Sequence, residues 1–383
     1  MSLSTEAPLL KTPCLASRKR RPNKVKMLSK SLLAVTLGAV INHSVMAQTP
    51  TEQTQAQPTA AEQVQQPTPQ QVQQPTPQQV ISKLAYQAQD QKLPTEQRVQ
   101  ALRELGNYPN QNALVAVARG LQDKDAAIRE AAIVGAQPYA IENRWRMVEP
   151  LLKDESSSVR IAAALNLVRD YSVLTEAQRP AVEKPVDELI ASLKGGTDNN
   201  TQLLLADVYR WHENWKQADD IYQALLSQMP ENPDVWLNLA DNYRAQQREQ
   251  EAIDTLDKAI ERLPDNAALH YSKSLTLVRL NDKEQAANEI EKAANMAKNN
   301  SYFWYLNGVL QEEFSVDKAV KSFEQAYLIS GAPEQLYAVC DIYIRYDNPK
   351  TDECLAELEK VAPSYVIDQL KQKRALTSAK PKS

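Results

Sequence analysis

Small residues recur at a nearly constant interval through residues 197–363, and bulky apolar residues follow them at helical spacing. The interval is 34 residues from Ala206 through Gly308 and 32 residues from Gly308 to Cys340, and a second small residue follows 11 to 14 positions further on in each unit. The two series are Ala206, Ala240, Ser274, Gly308, Cys340 and Ala218, Ala252, Ala286, Ala319, Cys354. Two helices that cross closely need a small residue on each of them. The pattern therefore predicts five consecutive antiparallel helix pairs.

The 34-residue period is that of the tetratricopeptide repeat, and residues 197–363 resemble that family. The second unit carries the most regular pattern, from Trp236 and Leu239 through Tyr243 and Leu256 to Pro264. The resemblance implies an all-α, right-handed superhelical solenoid of about five units. It also implies a protein or peptide partner bound along the concave groove of the solenoid.

A second repeat, with a period of 31, precedes the first. Residues 121–132 align without a gap on residues 152–163, which places Asp123 over Asp154 and Arg129 over Arg160, and Arg98 lies one period upstream. Each unit is predicted to contain a helix, an Asp-capped turn and a second helix. Residues 81–196 thus resemble short HEAT-like repeats, in which a recurring Asp and Arg link neighbouring units. That ladder is the interpretation of these arginines that we prefer to a functional basic stripe.

The two ends of the chain lack these repeats. Residues 1–47 combine a basic leader, the short apolar run Ser31–Ile41 and small residues before Gln48, which predicts a cleavable signal peptide. Residues 1–26 could be an upstream extension of a signal that starts at Met27, and an uncleaved anchor helix is the alternative. Residues 48–80 are rich in Gln and Pro and are predicted to be a disordered linker. Residues 364–383 are predicted to be a C-terminal tail.

Composition excludes several kinds of chemistry. The chain has only 8 Gly and contains no GxGxxG, GxxxxGK[ST] or GxSxG motif. Its three histidines are scattered, and no CxxCH motif is present to attach a c-type haem. We therefore expect no catalytic residues, no metal site and no cofactor.

The net charge argues against a nucleic-acid partner, and the predicted signal peptide indicates where the protein is located. Residues 48–383 carry 36 Lys and Arg against 47 Asp and Glu, and so have a formal net charge of −11. Such a surface repels nucleic acid, so a nucleic-acid partner is not expected. Once the signal is cleaved, direct insertion into a membrane is not expected either. The predicted signal peptide places the mature protein in the periplasm.

Two cysteines of the mature chain occupy matching small-residue positions. Cys340 stands on the first helix of the fifth unit and Cys354 on the second helix of the same unit. In an oxidising compartment such a pair is predicted to form a disulfide. The alternative is a pair of buried thiols in place of alanine.

The tetratricopeptide part resembles one further family more closely. The runs Leu237–Gln246, Leu263–Tyr271 and Leu275–Arg279 are similar to the C-terminal module of some multihaem c-type cytochromes, in which HEAT-like and tetratricopeptide units follow the haem-binding part. The haem part is missing here. The resemblance implies a separate adaptor for a redox or respiratory partner, without electron transfer by this chain.

Groove residues follow from counting along the first helix of each unit. The predicted binding groove comprises Arg210, Trp211, Asn238, Asp241, Arg244, Tyr271, Arg279, Tyr302 and Tyr305, with Leu203, Asp207, Leu237, Leu275 and Glu312 beside them. The Lys/Asn pattern that holds a C-terminal carboxylate in chaperone cofactors is absent. The mixture of Arg, Asp and Tyr predicts a peptide with charges of both signs and an aromatic or apolar anchor.

These features predict a non-catalytic periplasmic scaffold or adaptor, associated with multihaem cytochrome or respiratory systems. The alternative is an envelope-biogenesis factor that engages cell-wall or outer-membrane assembly proteins. A third hypothesis, an enzyme with a site between the two arrays, is disfavoured because a turnover site needs clustered nucleophile, base and oxyanion donors.

Overall fold

The computed structural model describes residues 76–378, which contain eighteen α-helices, two short 3₁₀ helices and no strand. The predicted all-α class is therefore confirmed. The predicted signal peptide and nearly all of the predicted linker lie outside the described residues. Within residues 76–378, no helix combines the length and the apolar character that a membrane crossing requires.

Seven helices precede the first of the predicted helix pairs, and we call them the N-terminal half. They are α1 Pro77–Gln89, α2 Thr95–Leu105, α3 Gln111–Gly120, α4 Ala126–Gly135, α5 Ile141–Val148, α6 Ser157–Val168 and α7 Arg179–Lys194. Helices α2, α4 and α6 pack side by side in sequence, and α7 closes the stack against α6. Leu102, Ile128 and Leu167, one from each of the three stacked helices, are fully buried in the common core.

The first helix begins earlier than the sequence predicts. Pro77 is its first residue, and Thr76 caps it by accepting a hydrogen bond from the Gln79 amide while the Gln79 side chain accepts one from the Thr76 amide. Residues 77–80 are thus helical, although the predicted linker extended to residue 80. The prediction was wrong there because proline blocks a helix interior but fits its first turn, where no intrahelical N–H bond is lost.

An Asp–Arg ladder links the units of the N-terminal half, as the period of 31 predicted. Arg98 pairs with Asp123 at 2.6 Å, and Arg129 donates to both carboxylate oxygens of Asp154 at 2.8 and 2.7 Å. Arg160 instead pairs with Glu188 of α7 at 2.9 Å, because Pro185 stands one period of 31 after Asp154, where the next aspartate would be expected. The ladder is therefore a structural device, and these arginines are not a basic binding stripe.

Ten further helices form the five predicted pairs. They are α8 Asn199–Trp211, α9 Trp215–Gln228, α10 Pro233–Ala245, α11 Glu249–Arg262, α12 Ala267–Arg279, α13 Lys283–Met296, α14 Ser301–Gln311, α15 Val316–Ser330, α16 Pro333–Arg345 and α17 Thr351–Glu359. Each even-numbered helix packs on the odd-numbered helix that follows it. We call the even-numbered members the first helices and the odd-numbered members the second helices.

The small-residue series lies at the crossing of each pair. Ala206, Ala240, Ala252 and Ala286 are fully buried, and Ser274 is almost so. At Gly308 even a methyl group would not fit, because a Cβ atom would lie 2.9 Å from the ring of Phe323. The predicted reason for the small residues, close helix approach, is confirmed.

Local signals set the ends of these helices. Asn232, Asn266 and Asn300, spaced 34 residues apart, each cap a first helix by accepting from backbone amides. The turns between paired helices contain a left-handed residue at Glu213, Gln247, Asn281 and Asp347. The fourth unit, whose turn is one residue shorter, has no such residue within residues 301–330. The Asn caps are a 34-residue signal that the sequence analysis did not use.

Residues after the fifth unit form one more helix. Helix α18, Ser364–Ser378, packs on α16 and α17, with Ile367 2% and Leu370 0% exposed. The prediction of a tail from residue 364 was wrong for this segment. A solenoid exposes the apolar face of its last unit, and a terminal helix that covers this face stabilises it.

Candidate binding groove

The first helices form one continuous wall. Helix α10 contacts both α8 and α12, so side chains on their common face lie next to one another across unit boundaries. Nine residues were predicted to line this wall, and the structure separates them into packed, half-buried and exposed groups. Asn238 is half-buried in the second unit.

Arg210 belongs to a packed polar cluster in the first unit. Its Nε donates to the Tyr222 hydroxyl at 3.2 Å, and that hydroxyl donates to Asp207 at 2.6 Å. Burial raises the pKa of the Asp207 carboxyl and that of the Tyr222 hydroxyl. Trp211 lies between two guanidinium groups, with Arg169 4.9 Å and Arg210 5.6 Å from its ring centroid.

Arg244 connects two units. It pairs with Asp241 on its own helix and donates from Nη1 to the Ser272 carbonyl at 3.2 Å and to Thr276 Oγ1 at 3.4 Å on α12. Only 13% of its side chain is exposed. Arg244 and Asp241 therefore stabilise the wall itself, and replacing them would disturb packing as well as binding.

The aromatic side chains of the third and fourth units pack together. The Tyr271 ring stacks on Phe303 at 4.9 Å and meets the edge of Tyr302 at 6.2 Å, while Tyr305 meets Phe323 edge-on at 5.6 Å. Burial, together with the neighbouring Tyr302, raises the pKa of Tyr271 to about 12. Tyr302 remains 44% exposed, so this aromatic group presents one accessible ring.

Two residues of the wall were missed by the sequence prediction. Val278 is 42% exposed and Val309 45% exposed. Val278 lies seven residues after Tyr271, and Val309 lies seven residues after Tyr302, so each shares a helix face with a predicted groove tyrosine. The helical spacing could have identified them, but the prediction favoured charged and aromatic residue types.

The wall continues into the fifth unit, which was not assigned groove residues. Arg345 on α16 pairs with Glu312 of the fourth unit and with Asp341 at 2.9 Å. Glu312 also accepts from the Tyr346 hydroxyl at 3.0 Å. The predicted groove acid Glu312 is therefore occupied by internal partners.

The predicted disulfide is present and closes the fifth pair. Cys340 on α16 and Cys354 on α17 are bonded, with a Cα–Cα distance of 5.5 Å, and both are buried. This distance falls within the range that disulfides require. Cys340 and Cys354 thus occupy in the fifth unit the two positions that alanines occupy in each of the first two units.

His270 occupies the position in the third unit that Trp236 and Trp304 occupy, 34 residues away, in the second and fourth units. The indole N–H groups of Trp236 and Trp304 each donate to the carbonyl six residues earlier, at 2.8 and 3.0 Å. His270 Nε2 lies 3.3 Å from the Pro264 carbonyl, again six residues earlier. The imidazole therefore fills the same structural role in the third unit.

The other nitrogen of His270 contacts a buried carboxylate. Nδ1 lies 2.5 Å from Glu289, which also accepts from Lys292 at 3.0 Å and lies 3.7 Å from Lys273. Both His270 and Glu289 are almost completely buried, so this acid–base pair is closed to a substrate. Burial would raise the pKa of Glu289, but the bonds from His270 and Lys292 and the charge of Lys273 outweigh it and lower that pKa to about 2.

This lowered pKa predicts acid sensitivity. A carboxyl whose pKa is lower in the folded state stabilises above its unfolded value of about 4.3 and loses that contribution as the pH falls toward the folded value. We expect the free energy of unfolding, measured in urea, to fall between about pH 4.3 and pH 2. In Glu289→Gln the fall should be shallower, whereas the exposed Glu261→Gln should follow the wild type. Equal slopes in Glu289→Gln and the wild type would contradict the assignment.

Comparisons with known proteins agree with this architecture. Residues 212–275 match one tetratricopeptide-repeat family model and residues 267–300 match another. The residues described here thus form an all-helical repeat protein. Residues 212–300 of it are tetratricopeptide repeats.

Solved structures of similar shape cover about half of the chain. MamA is 18% identical and covers 45% of this chain and 96% of its own, with a TM-score of 0.35. YrrB, described as a TPR protein with an unusual peptide-binding site, is 19% identical and covers 49% and 97%, with a TM-score of 0.37. Pseudomonas aeruginosa pilF is 17% identical and covers 56% and 98%, also with a TM-score of 0.37. No curated protein gives a significant match.

Proposed function

We propose that this chain is a non-catalytic scaffold or adaptor that binds a protein or peptide partner along the wall formed by its first helices. The observation that carries the proposal is the exposure of Tyr302, Val278 and Val309 on one face of consecutive tetratricopeptide units. Exposed apolar side chains that share a continuous face mark a binding surface. Clusters of three or more metal-ligating side chains are absent from residues 76–378.

The cellular setting is part of the same proposal. The apolar run and small residues before Gln48 support export to the periplasm, and the Cys340–Cys354 bond suits an oxidising compartment. The similarity of residues 237–279 to multihaem cytochrome modules supports a redox or respiratory protein as the partner. N-terminal sequencing of the native protein should give Gln48 as the first residue, and a chain that keeps residues 27–47 would overturn the periplasmic proposal.

Site-specific photo-crosslinking in cells tests the binding surface. A photoreactive phenylalanine analogue at Tyr302 or Val309 should form one discrete adduct with a partner protein, because both side chains are exposed on the wall. Leu328 on the second helix α15 is 78% exposed and provides the matched control. Adducts of the same pattern from Leu328, with none from Tyr302 or Val309, would place the partner on the outer surface and overturn the proposal.

A further inference from the structure

The charge of the wall differs from what the sequence suggested. The predicted partner had charges of both signs because the wall contains Asp and Arg together. In the structure, however, Asp207 accepts from Tyr222 and Arg210, and Asp241 pairs with Arg244. Glu312 and Asp341 pair with Arg345 in the same way. Asp207, Glu312 and Asp341 are therefore largely enclosed with internal partners, whereas Asp241 is paired but keeps 38% of its side chain exposed.

The arginines of the wall outnumber these acids in the first three units. The Arg279 side chain is exposed, and no hydrogen bond or ion pair joins it to another side chain within residues 76–378. Arg169, also exposed, lies 4.9 Å from the Trp211 ring centroid, and the charges of Asp207 and Asp170 act on it. Arg169 and Arg210 both lie over the Trp211 ring, and Arg244 donates to Thr276 Oγ1 at 3.4 Å, one helical turn before Arg279 on α12. We call Arg169, Arg210, Arg244 and Arg279 the arginine stripe. Arg210 and Arg244 are packed against Asp207 and Asp241, so the exposed Arg169 and Arg279 are the members that a partner can reach.

An apolar strip adjoins the arginine stripe on the third and fourth units. It consists of Tyr271, Leu275, Val278, Tyr302, Tyr305 and Val309, all half-buried or exposed. Arg279 directly follows Val278, at the point where the stripe and the strip meet. A desolvated apolar contact supplies affinity, and charged groups guide orientation. The apolar strip would therefore hold one end of a ligand and the arginine stripe the other.

We propose that the wall binds a protein segment that is acidic where it crosses the arginine stripe and carries an aromatic or aliphatic anchor on the apolar strip. This inference rests on the proposed function and gives the chemistry of its partner. Charge complementarity selects the acidic segment, since four arginines form the stripe and two acids, Asp207 and Asp241, pair with them. A nucleic acid is less well matched, because its long run of phosphates would extend over the acidic remainder of the surface.

Selection from a phage-displayed library of random short peptides tests the proposal on the full mature chain. The peptides enriched by the wild type should combine several Asp or Glu with an aromatic or aliphatic residue to one side. For the enriched peptide, synthesised and labelled, Arg169→Glu with Arg279→Glu should raise the Kd about tenfold or more, and added salt should weaken wild-type binding. Arg103→Glu with Arg262→Glu is the control, because it makes the same charge change at two exposed arginines outside the stripe. This control should leave the Kd nearly unchanged.

The outcomes separate the two proposals. Enrichment of neutral or basic peptides whose binding is lost in Tyr302→Ala would overturn the acidic partner and leave groove binding intact. Enriched peptides that are insensitive to both Tyr302→Ala and the stripe substitutions would overturn both. An oligo(dT) strand that displaces the peptide, and that loses affinity with the same stripe substitutions, would replace the peptide by a nucleic acid. If the double substitution lowers the melting temperature, the salt dependence of wild-type binding decides instead, and its absence overturns the acidic segment.

Discussion

Replacing Asp154 with alanine is expected to destabilise the N-terminal half by about 3–5 kcal/mol, because it leaves Arg129 buried without its counter-ion. The side chains of Arg129 and Asp154 are each only 8% exposed, and the guanidinium donates to both carboxylate oxygens. Arg129 would keep its bonds to the carbonyls of Asp123 and Lys124, but these carry no full charge. Urea unfolding followed by far-UV circular dichroism measures the loss.

The neighbouring acid provides a matched control. Glu155 lies 4.0 Å from the same guanidinium, but its side chain is 89% exposed. An exposed ion pair contributes about 0–1 kcal/mol, so Glu155→Ala should have a small effect. Similar losses in the two variants would contradict a structural role for the Asp–Arg ladder.

Removing the disulfide is expected to destabilise the fifth unit by about 3 kcal/mol, because the bond closes a short loop in the unfolded chain. The best variant is Cys340→Ala with Cys354→Ala. Alanine occupies both matching positions in the first two units, so the change removes the cross-link with little change in packing. Hydrogen exchange should show protection lost in residues 333–363 and retained in residues 236–264, since solenoid units are stabilised mainly by their neighbours.

Reductant is the control for this variant. It should reproduce the loss in the wild type and change nothing further in the double variant. Free-thiol labelling of unfolded, unreduced protein checks the bond directly. Two reactive thiols in the native protein treated in this way would show that Cys340 and Cys354 are a buried thiol pair.

The five helix pairs of residues 199–359 were predictable from the sequence because their determinants are local. Ala206, Ala240 and Gly308 lie where two helices joined by one short turn cross, and the position of a small residue fixes that crossing. The disulfide followed from the same register. Solenoid units contact mainly their neighbours along the chain, so a repeat in the sequence corresponds directly to a repeat in space.

Other features could not be predicted from residue type at a position. Arg210, Arg244 and Arg279 look alike in the sequence, yet the structure makes the first two part of the packing and leaves the third exposed. The reason is that a hydrogen-bond partner must lie within about 3 Å, and for Arg244 that partner is a carbonyl 28 residues away on the next unit. Helix α18 was missed for a related reason, since its Ile367 and Leu370 form a core only against α16 and α17.

The sequence by itself thus determined the helix pairs, their number, their closest contacts and the face that becomes the wall. The tertiary structure decided which side chains on that face remain available, and with them the net charge that a partner meets. The periodicity of the sequence determines the helix face on which each side chain lies, because the angle of a residue around the helix follows from its position in the sequence. Whether a side chain on the wall can contact a partner depends on whether groups of neighbouring helices already bond to it. Only the packed arrangement of the units determines that.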